Sequence, residues 1–218
     1  EARKTIEKGV YSGWDDPRTW SMKALAKRGI QPEAIRNFVI NMGLSMSDVA
    51  VPEDILYAEN RKLIDAKANR YFAVLDPVEI SVEKAGKIKN IKTNMHPDFP
   101  KRGKRKIAVD PKKIYVERAD FEKFSNQEVG LINLMSVNLR RTSAMTSKDV
   151  KYEIPKIHWV SEPNVKIKVV MPDSTLMKAM AEPAVKKLKV DELVQFYRIG
   201  FCRVDKGGKE TVLYFAHK

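Results

Sequence analysis

Near Arg70 the recurrence of apolar residues changes from a helical period to a two-residue period, and this switch splits the chain into two parts of different architecture. Upstream, Ala34, Ile35, Phe38, Val39 and Met42 lie at helical spacing after Pro32, a residue suited to a first helical position, and stop at Gly43. Residues 20–28 predict a helix that ends at a Gly29 cap. A third helix is predicted from Ser47 or Pro52 through Ile55, Leu56, Leu63 and Ile64 towards Asn69. The first eight residues read as another helical piece, because they lack the apolar stretch of a signal peptide.

Downstream, the run Val-Lys-Ile-Lys-Val at 165–169 alternates as a strand with one wet face must. Residues 78–82, 114–116, 137–139, 194–199 and 212–215 read the same way. Short strands broken by Gly, Pro and Asn predict an antiparallel barrel or sandwich. Residues 98–106 read as an exposed basic loop, and 171–189 as a connection carrying a short helix. The expected class is α+β.

The formal net charge of +13 is unevenly placed. Residues 1–72 hold 12 Lys/Arg against 10 Asp/Glu, whereas 73–218 hold 29 against 18. From Lys84 to Arg118 there are 12 basic residues, opposed only by Asp98, Asp110 and Glu117. Such a field favours a polyanion, whose phosphates release counterions on binding. The plainer reading is a solubilising lysine-rich surface. A membrane is excluded as partner: no apolar run approaches the roughly 20 residues needed to cross one, and the basic stretch has no amphipathic helical stripe. Cys202, the single cysteine, excludes an internal disulfide and fits a reducing cytosol.

Signatures of catalysis are missing. His96, His158 and His217 are far apart and lack cysteine partners, so no zinc pattern exists. His158 precedes Trp159 in an apolar run and reads as packed. Lys-Gly-Gly-Lys-Glu at 206–210 resembles the tail of a phosphate loop, but lacks the upstream glycine and the hydroxyl; it reads as a hairpin turn. Asp15 and Asp16, adjacent before Pro17, suit a turn or a helix cap better than an acid–base pair.

Gly13-Trp-Asp-Asp-Pro-Arg18 and Lys27-Arg-Gly-Ile-Gln-Pro-Glu-Ala-Ile-Arg36 closely resemble the eukaryotic and archaeal branch of glutamyl- and glutaminyl-tRNA synthetases. The resemblance continues through Asn69-Arg-Tyr-Phe-Ala-Val-Leu-Asp-Pro-Val78, His96-Pro97, Lys113-Ile-Tyr-Val-Glu-Arg-Ala-Asp-Phe121, Ile157-His-Trp-Val160 and Gln195-Phe-Tyr-Arg-Ile-Gly-Phe201. These ordered blocks span nearly the whole chain. The family's two catalytic signatures are absent, so the chain is expected to start just past a catalytic domain.

The resemblance implies a helical subdomain over 1–69, a connector that meets the tRNA stem, and an anticodon-binding double β-barrel over 70–218. The proximal barrel is expected at about 70–92 and 190–218, the distal one at about 93–189. It implies anticodon contacts for Arg70, Arg118 and Gln195, with Arg198 assisting from the same block as Gln195. Trp14, Asp15, Asp16 and Arg18 become candidates for the tRNA elbow or for docking the catalytic domain. The family's further arginines for the first anticodon base are missing after Phe121, which leaves Lys123 or Asn126 for that task. A plainer role for Arg118 is an ion pair with Glu117 or Asp120. Phe72, Trp159 and Val160 are assigned to the barrel core.

The resemblance further implies a monomeric, cytoplasmic protein whose partner is a glutamate tRNA, or a glutamine isoacceptor. No cofactor is expected in this chain; ATP and magnesium are implied for the full-length ligase. The alternatives are a glutaminyl enzyme and a free-standing RNA-binding barrel protein. Glutamate is favoured because the segments around 16–20 and 56–65 resemble archaeal sequences.

Overall fold

A computed structural model describes residues 1–43, 52–208 and 210–218. The helical part comprises α1 (Ala2–Glu7), α2 (Met22–Arg28), α3 (Pro32–Met42) and α4 (Glu53–Ile64). Ser21 caps α2 by accepting from the Ala24 N–H at 3.1 Å. Gly29 ends it at φ 96°, in the left-handed region. A Cβ at Gly29 would sit 2.7 Å from Leu193 Cδ2, so both conformation and space require glycine there. Pro32 opens α3, and Pro52 caps α4; the alternative start at Ser47 lies outside the described residues.

The apolar faces of these helices bury Leu25, Ile30, Ala34, Leu56 and Ile64 against Phe201 and Ala216 from the last strands. A wholly buried arginine completes the joint. Arg28 donates to the carbonyls of Phe215 (3.1 Å) and Ala216 (2.8 Å) and to the Tyr57 hydroxyl (2.7 Å). Its guanidinium also lies over the Trp20 and Tyr57 rings.

With strands numbered along the chain, one sheet of seven runs β1 (Asn69–Tyr71), β14 (Leu193–Phe196), β15 (Gly200–Lys206), β16 (Thr211–His217), β12 (Val165–Val170), β13 (Leu176–Ala181), β2 (Ala73–Leu75). Its two edges, β1 and β2, are one stretch of chain broken only at Phe72. The sheet therefore curls until its edges meet, which is a barrel.

The second sheet repeats the device. It runs β10 (Lys156–Ile157), β7 (Glu128–Leu131), β8 (Met135–Asn138), β9 (Thr142–Ser147), β3 (Pro77–Glu83), β6 (Ile114–Glu117), β11 (Trp159–Ser161). Here the edges β10 and β11 are broken only at His158. A separate ribbon pairs β4 (Asn90–Asn94) with β5 (Lys104–Ala108).

Strands joined by short turns pair antiparallel. Four pairs, β1–β14, β12–β16, β3–β9 and β7–β10, are parallel, because long connections bring their members together. Residues 165–181, expected in the distal barrel, belong instead to the sheet of the C-terminal strands, β12 pairing with β16 and β13 with β12 and β2, and β3 belongs to the other sheet.

Two local expectations are corrected. Residues 98–106 are not one loop: a 3-10 turn (Pro100–Arg102) leads into β5, where Arg105 and Ile107 face inward and Lys104 and Lys106 outward. Residues 171–189 form β13 and then a 3-10 turn (Pro183–Lys187), because β13 completes the first sheet by pairing with β2. Phe72, Trp159 and Val160 are core, as expected. Among the described residues no helix is long and apolar enough to cross a membrane.

Candidate nucleic-acid interface

Arg70 and Gln195 are neighbours in the parallel register of β1 and β14. Strand pairing thus brings together two side chains that the sequence separates widely. Arg70 Nη2 donates to Asp65 Oδ1 at 3.2 Å and lies 3.5 Å from Asp98 Oδ2. Its Nε is buried with no partner, and so is Gln195 Oε1. A buried donor and a buried acceptor on register neighbours, each unpaired, are uncommon in a folded protein.

Two residues further along the chain is Tyr197, whose N–H donates to the Tyr71 carbonyl at 3.2 Å. Burial pushes its hydroxyl pKa up, against the opposing pull of Arg70 and Arg105. Its ring stacks on His158 at 5.1 Å.

Arg198 follows, at φ 65°, and reaches from the first barrel to the helix α5 (Arg118–Phe124) of the second. It pairs with Asp120 and, at 3.3 Å, with Glu117. Those carboxylates are the ones a plain surface role would give to Arg118. Arg118 instead forks onto Asp76, Nε to Oδ2 at 2.6 Å and Nη2 to Oδ1 at 3.4 Å. The Asp76 carboxylate raises its pKa above the ordinary arginine value. Arg118 also donates its backbone N–H to the Asp76 carbonyl at 3.1 Å, and its side chain is half-exposed. The fold thus joins Arg70 to Gln195 directly and reaches α5 through Arg198, while Arg118 is held on a separate carboxylate. Lys123 and Asn126, on and after α5, are exposed.

The acidic block near the N-terminus is largely used by the fold. Asp16 is buried and caps the 3-10 turn Pro17–Thr19. It accepts from the N–H groups of Ser12 (3.0 Å) and Arg18 (3.1 Å), from the Arg18 guanidinium (2.8 and 2.7 Å) and from the Ser174 hydroxyl (3.2 Å). The Arg18 guanidinium holds its carboxyl well below the usual range. Asp15 pairs with Lys27 at 2.7 Å. Trp14 is the block's exposed aromatic, with 47% of its surface open.

The sequence does not flag Arg105 and Glu182, a buried pair at the centre of the junction. Arg105 donates to both Glu182 oxygens, and to the Asn94 carbonyl at 2.6 Å. Glu182 in turn accepts from the Phe72 N–H at 3.0 Å and donates its own N–H to the Phe72 carbonyl at 3.1 Å. Both backbone groups at the break between β1 and β2 are thereby satisfied. Among the described residues no group of three or more His, Cys, Asp or Glu could hold a metal ion.

Two models of one family, described as the anticodon-binding domain of class I tRNA synthetases (E and Q), match residues 68–157 and 156–205. The chain belongs to this family. It is similar to the glutamate–tRNA ligase of Methanosarcina mazei, 39% identical over 99% of this chain and 39% of that protein. The enzymes of the same name from Thermococcus kodakarensis and Pyrococcus abyssi are 38% and 40% identical over 100% of this chain and 40% of each protein. The chain therefore spans about two fifths of the length of these curated relatives.

Proposed function

We propose that this chain is the tRNA-gripping part of a glutamate–tRNA ligase and reads the anticodon loop at the junction of its two barrels. The observation that carries the reading is the register pair Arg70–Gln195, whose buried Nε and Oε1 lack protein partners and which lie one in each of the two segments that match the anticodon-binding family. Arg118 and Arg198 extend the site onto α5. The helical part, 1–69, serves as connector, with Trp14 the group best exposed to touch the tRNA elbow or a catalytic domain.

Glutamate is favoured over glutamine because the curated relatives carry that name. The whole ligase would couple glutamate to tRNA with ATP and magnesium, in the cytoplasm and as a monomer. The described residues do not fit a magnesium site, since they hold no cluster of carboxylates able to bind a metal, so no step of that chemistry is assigned to them. A free-standing RNA-binding role is disfavoured by the Trp-Asp-Asp-Pro-Arg block, a connector for which an isolated barrel has no use.

The test is binding of glutamate tRNA transcripts with native and altered anticodons to the wild-type chain and to Gln195→Ala. Discrimination between transcripts should fall about tenfold or more in the variant, as when a base edge loses its partner. Equal affinity of the wild-type chain for every transcript would overturn the reading.

A further inference from the structure

The ribbon of β4 and β5 carries an arrangement that base reading does not use. Its inner face is committed to packing: Ile107 is buried, Arg105 reaches Glu182, and Thr93 Oγ1 accepts from Asn133 Nδ2 at 3.0 Å. Its outer face carries Lys92, Lys104 and Lys106. Lys92 lies directly opposite Lys106, and Lys104 is two residues further along the same strand. Like charges in such positions repel. Among the described residues none of the three has a carboxylate partner.

Beside them opens a cavity of about 440 Å³ whose lining includes Lys92, Thr93, Asn94, Lys104, Asn133 and Tyr197. No carboxylate lines it. Three other cavities each include at least one: Asp54 and Asp65, Glu210, or Glu53. Tyr197 joins this cavity to the Arg70–Gln195 pair through the short chain segment they share. Its ring is already engaged by His158 and by the edge of Phe72 at 5.4 Å, so it is poorly placed to stack on a base.

We infer that this cavity is a phosphate pocket for the sugar–phosphate backbone of an RNA loop, filled while the loop's bases are read next door. Lys92 and Lys104 supply positive charge as point cations, the Asn133 and Asn94 amides supply neutral donors, and the Lys92–Lys106 repulsion is relieved when an anion enters. The inference rests on the tRNA-binding reading and adds a site to it.

The experiment measures binding of a native and an anticodon-altered transcript across a series of salt concentrations. The proteins are wild type, the double variant Lys92→Gln/Lys104→Gln, and Lys104→Arg. The double variant should bind both transcripts about tenfold more weakly, and its salt dependence should flatten by about 0.7–0.9 in slope for each lost phosphate contact. Lys104→Arg should keep the wild-type slope. An unchanged slope in the double variant, with wild type still selecting between transcripts, overturns the pocket and leaves base reading intact. A loss confined to the native anticodon also overturns it, because phosphates carry no sequence. Wild-type protein that binds neither transcript overturns the tRNA reading and the pocket's role together.

Discussion

Phe72 and His158, the single residues at which each barrel's closing strand is broken, meet edge to face with ring centroids 5.5 Å apart. Each break lets one run of chain pair with two different strands, so each marks where its barrel closes. Their contact fixes the two closures against each other. Trp159 at 6.0 Å and Tyr197 complete the aromatic cluster, and Arg70, Gln195 and Arg198 flank it in the chain. The proposed role, holding several splayed bases in fixed relation, would need such a support.

The cluster makes stability depend on pH through His158. Neither ring nitrogen has a partner, and burial pushes its pKa from 6.5 to about 4, with Arg198 pushing the same way and Asp120 opposing. The folded pKa is depressed, so the contribution is fully present above 6.5 and is lost as pH falls towards 4. Unfolding measured at pH 7.5 and pH 5 should show ~2 kcal/mol less stability at the lower pH from this group. His158→Phe, which keeps a flat ring, should remove that component. An unaltered pH dependence in the variant would place the titrating group elsewhere.

Glu182→Gln tests the buried pair behind Phe72. The amide oxygen can still accept from the Phe72 N–H, so what is lost is the charge facing Arg105 and, where the NH2 replaces the second oxygen, the acceptor for Arg105 Nε. Leaving that guanidinium buried and uncompensated should cost about 3–5 kcal/mol in denaturant unfolding. Adding Arg105→Met should recover at least about 2 kcal/mol, because the orphaned charge is gone. A double variant no more stable than the single one would mean that the pair's shape, not its charge balance, holds the ribbon.

How much of this was legible depended on whether the signal was local. Val165, Ile167 and Val169 are buried and the intervening lysines exposed, as strict alternation demands. The Gly29 cap and the Pro32 start were likewise readable, since each acts within one helical turn. The run Lys104-Arg-Lys106 looked like a loop because three cations in a row give no apolar parity. Glu182, 77 residues away, is the charge partner that makes Arg105 an inward residue. Closure at Phe72 and His158 is hidden for the same reason: it is a property of pairing, not of the residues. In the candidate site, family resemblance marked Arg70 and Gln195, but their unpaired Nε and Oε1 emerge only from packing. The cavity at Asn133 has no sequence signal, because Asn133 meets Thr93 across 40 residues.

Arg118 offers the sharpest separation of base reading from charge attraction. Asp76 holds its guanidinium in a fork, so the group is oriented before any ligand arrives, and orientation is what a base edge rewards. Both partners are substantially exposed, with side chains 47% and 67% open, so Arg118→Ala should leave folding nearly unchanged. Its effect should fall on recognition: roughly tenfold to a hundredfold weaker binding of the native transcript. A transcript already altered at the base in question has no edge contact left to lose, and should weaken far less. Asp76→Asn keeps the cation but loosens its fork, so it should reduce discrimination while leaving the salt dependence as it was. Arg118→Ala binding all transcripts equally less well, with a flatter salt dependence, would instead make this arginine one more phosphate-facing charge. Base discrimination would then rest on Arg70 and Gln195, whose register pairing does not involve Arg118.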